Sequence, residues 1–297
     1  MSFTITFSTP AKLTPTARCW DIPTCRNLLA RCSEILSITW IKRRPMLPIP
    51  VWTDEIRVHP YETDLNNEWK AAAVFQAFQE VANAHAANLG YDYHSMLAAD
   101  HIWVLSRLKV YFYRFPTMGD RLTICTWPKG IRQKIFFTRD FQIATPDGQL
   151  IAAATSAWLL IDPKTRRMQL PGSLTGTLPN NAGLNALDED LTKLAPENGL
   201  AEKFTTRANY SVVDVLGHVN NARYIEWVMD CFPFEQFKTH QLAWLQINYN
   251  NEVRAGETVR ICAGVRNGDA SRWLVVGEKP ESGERAFEVE LAWAERA

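Results

Sequence analysis

Gly119-Asp120-Arg121-Leu122-Thr123-Ile124-Cys125 and Gly256-Glu257-Thr258-Val259-Arg260-Ile261-Cys262 are one pattern written twice in the same chain. Each is a glycine, an acid and then an alternating run, the pattern of a turn that enters a half-buried strand. Backwards at the same offset, Leu108, Val110 and Phe112 meet Leu245, Ile247 and Tyr249. Forwards, at nearly the same offset, the stretch from Gly148 to Trp158 resembles that from Gly283 to Trp293. Independent anchors at a nearly constant offset indicate an internal duplication, in which each copy is one structural unit.

Both copies follow one order of elements. A short strand (51–58; 204–210) leads through a turn carrying an acid (Asp64; Asp214) into a helix. Ala71, Val74, Phe78 and Val81 share one helical face in the first copy, as Tyr224, Trp227, Val228 and Cys231 do in the second. Period-two runs at 107–115, 121–127 and 134–143 then predict antiparallel strands, and the apolar run 150–161 reads as a buried one. A helix this apolar needs cover on most sides, which a curved antiparallel sheet gives. The expected fold is therefore α+β: two tandem hot-dog domains, each a long helix wrapped by an antiparallel sheet, paired edge to edge as a pseudo-dimer.

The 297 residues are 46% hydrophobic and 22% charged with zero formal net charge, which offers no surplus of cations for nucleic acid. No run of about 18 apolar residues predicts a membrane span. The cysteines at 19, 25, 32, 125, 231 and 262 form neither a CxxC pair nor a zinc pattern, so no metal or cofactor is expected. Residues 1–50 differ from the rest: Lys12, Arg18, Arg26, Arg31, Lys42, Arg43 and Arg44 face only Asp21 and Glu34. This segment reads as a disordered or targeting-like extension, with Pro45, Pro48 and Pro50 marking its end. The expected layout is 1–50 extension, 51–171 N-terminal domain shaping the substrate site, 172–201 linker with short helical turns around 185–194, and 202–297 catalytic domain. The expected location is cytoplasmic, or a plastid if the extension is a transit peptide.

The most informative local string runs from Asp214 through Gly217, His218, Val219, Asn220 and Asn221 to Tyr224 and Trp227. Gly217 permits a tight turn, and Asn220 or Asn221 is a good N-cap. Asp214 and His218 would then lie just ahead of a helix start whose N–H groups favour negative charge. For a lone Asp or His the ordinary reading is a capped surface turn. The duplication argues for more: Glu252 stands where the first copy has Phe115, and His218 where it has Glu68. A polar constellation is thus expected in the second copy only.

On these residues the chain resembles the acyl-ACP thioesterases of plastids and bacteria. In the first copy the likeness rests on Phe78-Gln-Glu-Val81, Trp103-Val-Leu-Ser-Arg107, Gly119-Asp120, Thr155-Ser-Ala-Trp158 and Thr165-Arg-Arg167. In the second it rests on the string from His218 to Trp227 and on Tyr249-Asn-Asn-Glu252. The resemblance implies hydrolysis of fatty acyl thioesters, with Asp214, His218 and Glu252 as catalytic residues and the first copy shaping the acyl tunnel through Val74, Phe75, Phe78 and Trp103. Two positions depart from the family pattern: Leu216 replaces its Asn, and Val253 replaces a Cys that often follows the Glu.

The expected mechanism is attack by a water near Asp214 and Glu252, one of them the general base, with N–H groups of Val219, Asn220 and Asn221 holding the oxyanion. Direct attack by Asp214 is the alternative. Acyl carrier protein is the expected partner, docking on Lys129, Arg132, Lys134 and Arg139 or on Lys164, Arg166 and Arg167; a homodimer is left open. The rival functions are an acyl-CoA thioesterase and a non-catalytic acyl-binding protein.

Overall fold

The computed structural model describes residues 48–181, 183–197 and 199–296. The expected basic extension lies outside them apart from its last three residues. In chain order the elements are β1 (Trp52–Arg57), α1 (Ala71–Asn88), α2 (Tyr93–Ala98), β2 (Ile102–Phe112), β3 (Arg121–Arg132), β4 (Phe136–Ala144), β5 (Leu150–Ile161) and β6 (Met168–Gln169). Then follow β7 (Ala201–Arg207), α3 (Arg223–Met229), α4 (Phe234–Thr239), β8 (His240–Tyr249), β9 (Thr258–Arg266), β10 (Asp269–Glu278) and β11 (Arg285–Glu295). The apolar run 150–161 is a strand, with Ala152, Ala153, Ala154 and Leu160 wholly buried.

All these strands join one sheet in the order β1-β3-β4-β5-β2-β8-β11-β10-β9-β7, with β6 attached to β5. The order reads as one five-strand pattern followed by its mirror, which is what a twofold relation between the copies requires. The seam is the antiparallel pair β2–β8, in which Lys109 faces Gln246, Arg107 faces Asn248 and Tyr111 faces Trp244. Lys109 and Gln246 are separated along the chain by the same interval as Gly119 and Gly256, so the repeat offset found in the sequence is also the register of the seam. The pseudo-twofold axis passes through that pair. Leu108, Val110, Leu245 and Ile247 are buried there.

One face of the sheet packs on α1, whose Ala71, Val74, Phe78 and Val81 are buried as their spacing predicts. The second copy departs from the expected long helix, since α3 has only seven residues. Pro233 has no N–H to continue an α-helical ladder, and the chain breaks before α4. The part of the second copy that a longer helix would cover is left as an open cleft.

The segment between the copies is extended, and residues 183–197 hold no helical turn, contrary to expectation. It lies against the sheet and crosses the seam. Leu191 packs with Phe136 and Ala157 of the first copy, and Leu194 with Leu274 and Val276 of the second. Side chains of the sheet take up its free carbonyls: Arg107 Nη1 donates to Leu191 O (2.7 Å) and Gln246 Nε2 to Thr192 O (2.7 Å). Such bonds explain why a loop can be held against a sheet without forming a strand.

Leu245 is fully buried beside the axis, opposite Val110. Leu245→Ala is expected to destabilise the protein by about 2–5 kcal/mol. Urea unfolding checks this, as a lower midpoint in a single transition for both copies with the slope unchanged.

Candidate active site

The Asp214 turn is built by its own backbone. Asp214 N–H donates to His218 O (2.9 Å), Gly217 N–H to Asp214 O (3.0 Å), and Leu216 N–H to Asp214 Oδ1 (2.9 Å). Asp64, Asn66, Asn67 and Glu68 make the same three bonds in the first copy. Gly217 (φ +77°) and Asn67 (φ +61°) hold the corresponding left-handed position, which glycine and asparagine tolerate best. His218 and Glu68 are therefore equivalent in three dimensions. His218 pairs as an isolated bridge with Arg254, and Glu68 with Thr117, which also makes Glu252 the counterpart of Phe115.

His218 and Glu252 are brought together, with Nε2 3.2 Å from Oε2. The same carboxylate oxygen receives Arg166 Nη2, which comes from the first copy. Arg166 sits at φ +59° on a turn that Asp162 organises: its Oδ1 accepts from the N–H of Lys164 (2.8 Å) and of Thr165 (2.9 Å). The site is composite, since a cation of one copy holds a carboxylate of the other. From the sequence, Arg166 belongs to the string that carries the family likeness and to a docking patch, not to the site itself. The Thr165-Arg166-Arg167 string was a signal, but the distance across the seam hid its partner.

Asp214 is held apart from that cluster. Its Oδ2 accepts from Asn220 Nδ2 (3.2 Å), and it opens on a cleft of about 320 Å³ shared with Gln76, Gln79 and Glu80 of α1. Gln79 also lines a narrow apolar cavity with Phe75, Phe78, Phe141, Asn221 and Trp158. Trp158 in turn borders a cavity of about 70 Å³ beside Trp103 and Phe137. A polar cleft at Asp214 thus adjoins apolar spaces inside the first copy, with Gln79 and Trp158 as the walls they share. Phe75, Phe78 and Trp103 line these apolar spaces, whereas Val74 is core and lines none of them.

The expected oxyanion set is narrowed. The Val219 N–H donates to Val253 O (2.8 Å) and the Asn220 N–H to Val212 O (2.9 Å), so neither amide is free. Both are committed because residues 212–220 pair with neighbouring chain rather than standing open ahead of a helix. Neither Asn220 nor Asn221 is the expected N-cap: Asn220 Oδ1 accepts from the Ala222 N–H (3.1 Å) in a turn ahead of the helix, and the cap of α3 is Ala222, with no side-chain cap bond. Of the three amides expected, only that of Asn221 meets no protein acceptor among the described residues. The Asn221 carbonyl is fixed by the Tyr249 hydroxyl (3.0 Å). Burial pushes the Tyr249 phenol well up, which keeps it a donor.

The two departures from the family pattern have plain structural consequences. Leu216 touches Asp214 through its backbone, a bond any residue supplies, and its side chain is exposed. Val253 is fully buried, its N–H donating to the Tyr224 hydroxyl (3.3 Å), so this position faces the core. Cys125, Cys231 and Cys262 are free thiols, and burial pushes Cys231 up to about 12.

The basic clusters separate. Lys129 is buried against Asp140 (3.2 Å) and Arg139 bonds His85 Nδ1 (2.9 Å), so these two are turned inward, while Arg132 and Lys134 of the same cluster are exposed. In the second, Lys164 pairs with Asp100 (2.7 Å), Arg166 with Glu252, and Arg167 is exposed.

Comparison with known proteins gives the same assignment. Residues 50–170 match the acyl-ACP thioesterase N-terminal domain, and residues 195–295 its C-terminal domain. The chain belongs to the acyl-ACP thioesterase family. It is 28% identical over 229 residues to an acyl-(acyl-carrier-protein) hydrolase of Cuphea viscosissima, covering 72% of this chain and 55% of that protein. It is 25% identical over 276 residues to a palmitoyl-acyl carrier protein thioesterase of Gossypium hirsutum, covering 84% of this chain and 66% of that one. The chain thus spans between half and two thirds of the length of these relatives. The crystal structure of an acyl-ACP thioesterase from Bacteroides thetaiotaomicron shares the fold, with a TM-score of 0.75 at 24% identity, covering 82% of this chain and 98% of that one.

A Cβ at Gly217 meets nothing within 4 Å, so only its backbone conformation resists substitution. Gly217→Ala is expected to cost about 1–2 kcal/mol and Gly217→Asn less, as lowered thermal midpoints will report.

Proposed function

We propose that this chain hydrolyses fatty acyl thioesters carried on acyl carrier protein, releasing the free fatty acid and ending acyl-chain synthesis. The observation that carries this reading is that the Asp214 cleft and the apolar spaces of the first copy lie side by side, with Gln79 and Trp158 as shared walls. A thioester carbonyl in the cleft would have its hydrocarbon chain lying past Gln79 toward Trp158 and Trp103. This division of labour makes residues 51–171 the chain-shaping domain and 202–297 the catalytic one, joined by 172–201.

Asp214, His218 and Glu252 are the catalytic residues of this reading. Glu252 is engaged by both Arg166 and His218, whereas one oxygen of Asp214 carries only an amide bond and faces the cleft. Asp214 is accordingly the better general base. It takes a proton from water as the water oxygen bonds to the carbonyl carbon, and the Asn221 N–H stabilises the oxyanion. The carbon–sulfur bond then breaks, and the proton held by Asp214 passes to the departing thiolate. The His218–Glu252–Arg166 cluster fixes the imidazole at the end of the turn that carries Asp214. Docking of the acidic carrier falls to the 162–167 turn, where Arg167 is exposed beside the site.

Thiol release from matched acyl-ACP and acyl-CoA substrates tests the reading. Asp214→Asn is expected to lower kcat by about 10²–10⁴ with the fold intact by circular dichroism. Near-normal turnover in that variant would sink the assignment, and faster turnover of acyl-CoA would move the chain to that substrate. Arg167→Glu is expected to raise KM for acyl-ACP several-fold with kcat unchanged, and added salt should shrink the difference.

A further inference from the structure

A tetrahedral oxyanion has room for two donors, and of the three amides expected to hold it only that of Asn221 remains. A second donor is in reach from the other copy. On α1, which packs against α3, Gln76, Gln79 and Glu80 share one helical face at three- and four-residue spacing. Together with Asp214 and Asn220 they line the polar cleft of about 320 Å³. Of these three, Gln79 alone also lines the narrow apolar space that holds Asn221, Phe75 and Phe78. It stands on the wall that the cleft and the apolar space share, which is where a thioester carbonyl would join its hydrocarbon chain.

The Gln79 carboxamide is half-buried and meets no protein partner among the described residues. An amide held beside phenylalanine rings is costly unless it pairs, so it is a donor open to an oxygen from a ligand. The internal twofold adds an independent comparison. At the interval that relates Asp64 to Asp214 and Glu68 to His218, Gln79 corresponds to Met229. Met229 does line the counterpart cleft, beside Asp64 and Glu68, as that relation requires. The amide thus stands at the end that has His218 and Glu252. A thioether, which has no hydrogen to donate, stands at the end that has Glu68 and Phe115. The two side chains are of similar length, so filling space does not account for the difference.

We propose that Gln79 is a further catalytic residue, its Nε2–H donating to the thioester oxygen from the first copy while the Asn221 N–H donates from the second. This inference rests on the proposed hydrolase function and adds to it a group from the half of the chain that otherwise shapes the acyl site. As the water oxygen bonds to the carbonyl carbon, the carbonyl electron pair passes to the oxygen and both N–H groups tighten on it. The pair returns as the carbon–sulfur bond breaks, and no proton leaves Gln79. The site then draws on the first copy twice, through Arg166 on Glu252 and through Gln79 on the substrate.

Steady-state thiol release by the full chain, with Gln79→Met and Gln79→Glu, tests this. Gln79→Met installs the residue of the counterpart cleft, with nearly the same length and helix propensity. It is expected to lower kcat by about 10²–10³ with KM within about threefold and the thermal midpoint unchanged. Gln79→Glu keeps the shape but exchanges the donor for an acceptor, and should lose at least as much. A trifluoromethyl ketone with a dodecyl chain, which stands in water as its tetrahedral hydrate, reports on the donor directly. Its inhibition should weaken about thirtyfold or more in Gln79→Met, against about threefold or less for the methyl ketone of the same chain. A kcat in Gln79→Met within about threefold of the parent, a loss confined to KM, or equal weakening of the two ketones each overturns the proposal. Any of these with Asp214→Asn inactive leaves the hydrolase reading standing, whereas a parent chain that releases no thiol removes both.

Discussion

Antiparallel pairing of β2 with β8 is the constraint on which the rest of the molecule depends. A strand edge left unpaired is exposed to association with other chains, and each copy has one such edge at β2 or β8. Pairing them in the register that sets Lys109 opposite Gln246 satisfies both edges with one set of ladder bonds. The same register brings the Asp162 turn of the first copy to Glu252 of the second, and α1 to the Asp214 cleft. A seam displaced by one residue would turn Val110 and Leu245 out of the core and carry Arg166 away from its partner.

Duplication followed by divergence explains why one end of the molecule is polar and the other apolar. In a dimer of identical chains every substitution falls on both sites. Within one chain, His218 and Glu68 diverged independently, as did Glu252 and Phe115. The helices diverged too: α1 runs 18 residues and fills its half of the sheet, while α3 stops after seven. One half therefore offers a set of narrow cavities and the other a wide cleft, from a common plan of strands.

Much of this was legible in the sequence, for physical reasons. Strand alternation and the glycine-led turns at Gly119 and Gly256 are local signals, so the duplication, the strands and the equivalence of His218 with Glu68 could be read directly. What escaped was non-local. The apolar stripe from Tyr224 to Cys231 suggests a helix long enough to match α1, but the break at Pro233 decides its length. The amides of Val219 and Asn220 look free ahead of a helix until Val253 and Val212 are found accepting from them. Arg139 and Lys129 read as surface cations, yet each has its partner on a different element, His85 on α1 and Asp140 on β4. Arg166 could not be joined to Glu252 without knowing the seam.

The extended segment that crosses the seam also sets how the assembly behaves on dilution. Two separate hot-dog units would share a composite site only above the concentration at which they associate, and their stability would fall as they were diluted. Here Leu191 and Leu194 sit on opposite sides of the junction within a few residues of one another. The tether makes association intramolecular, so the halves meet at an effective concentration fixed by the length of the chain between them. Arg166 and Glu252 then remain neighbours in a solution however thin, and the composite site is a property of each single molecule.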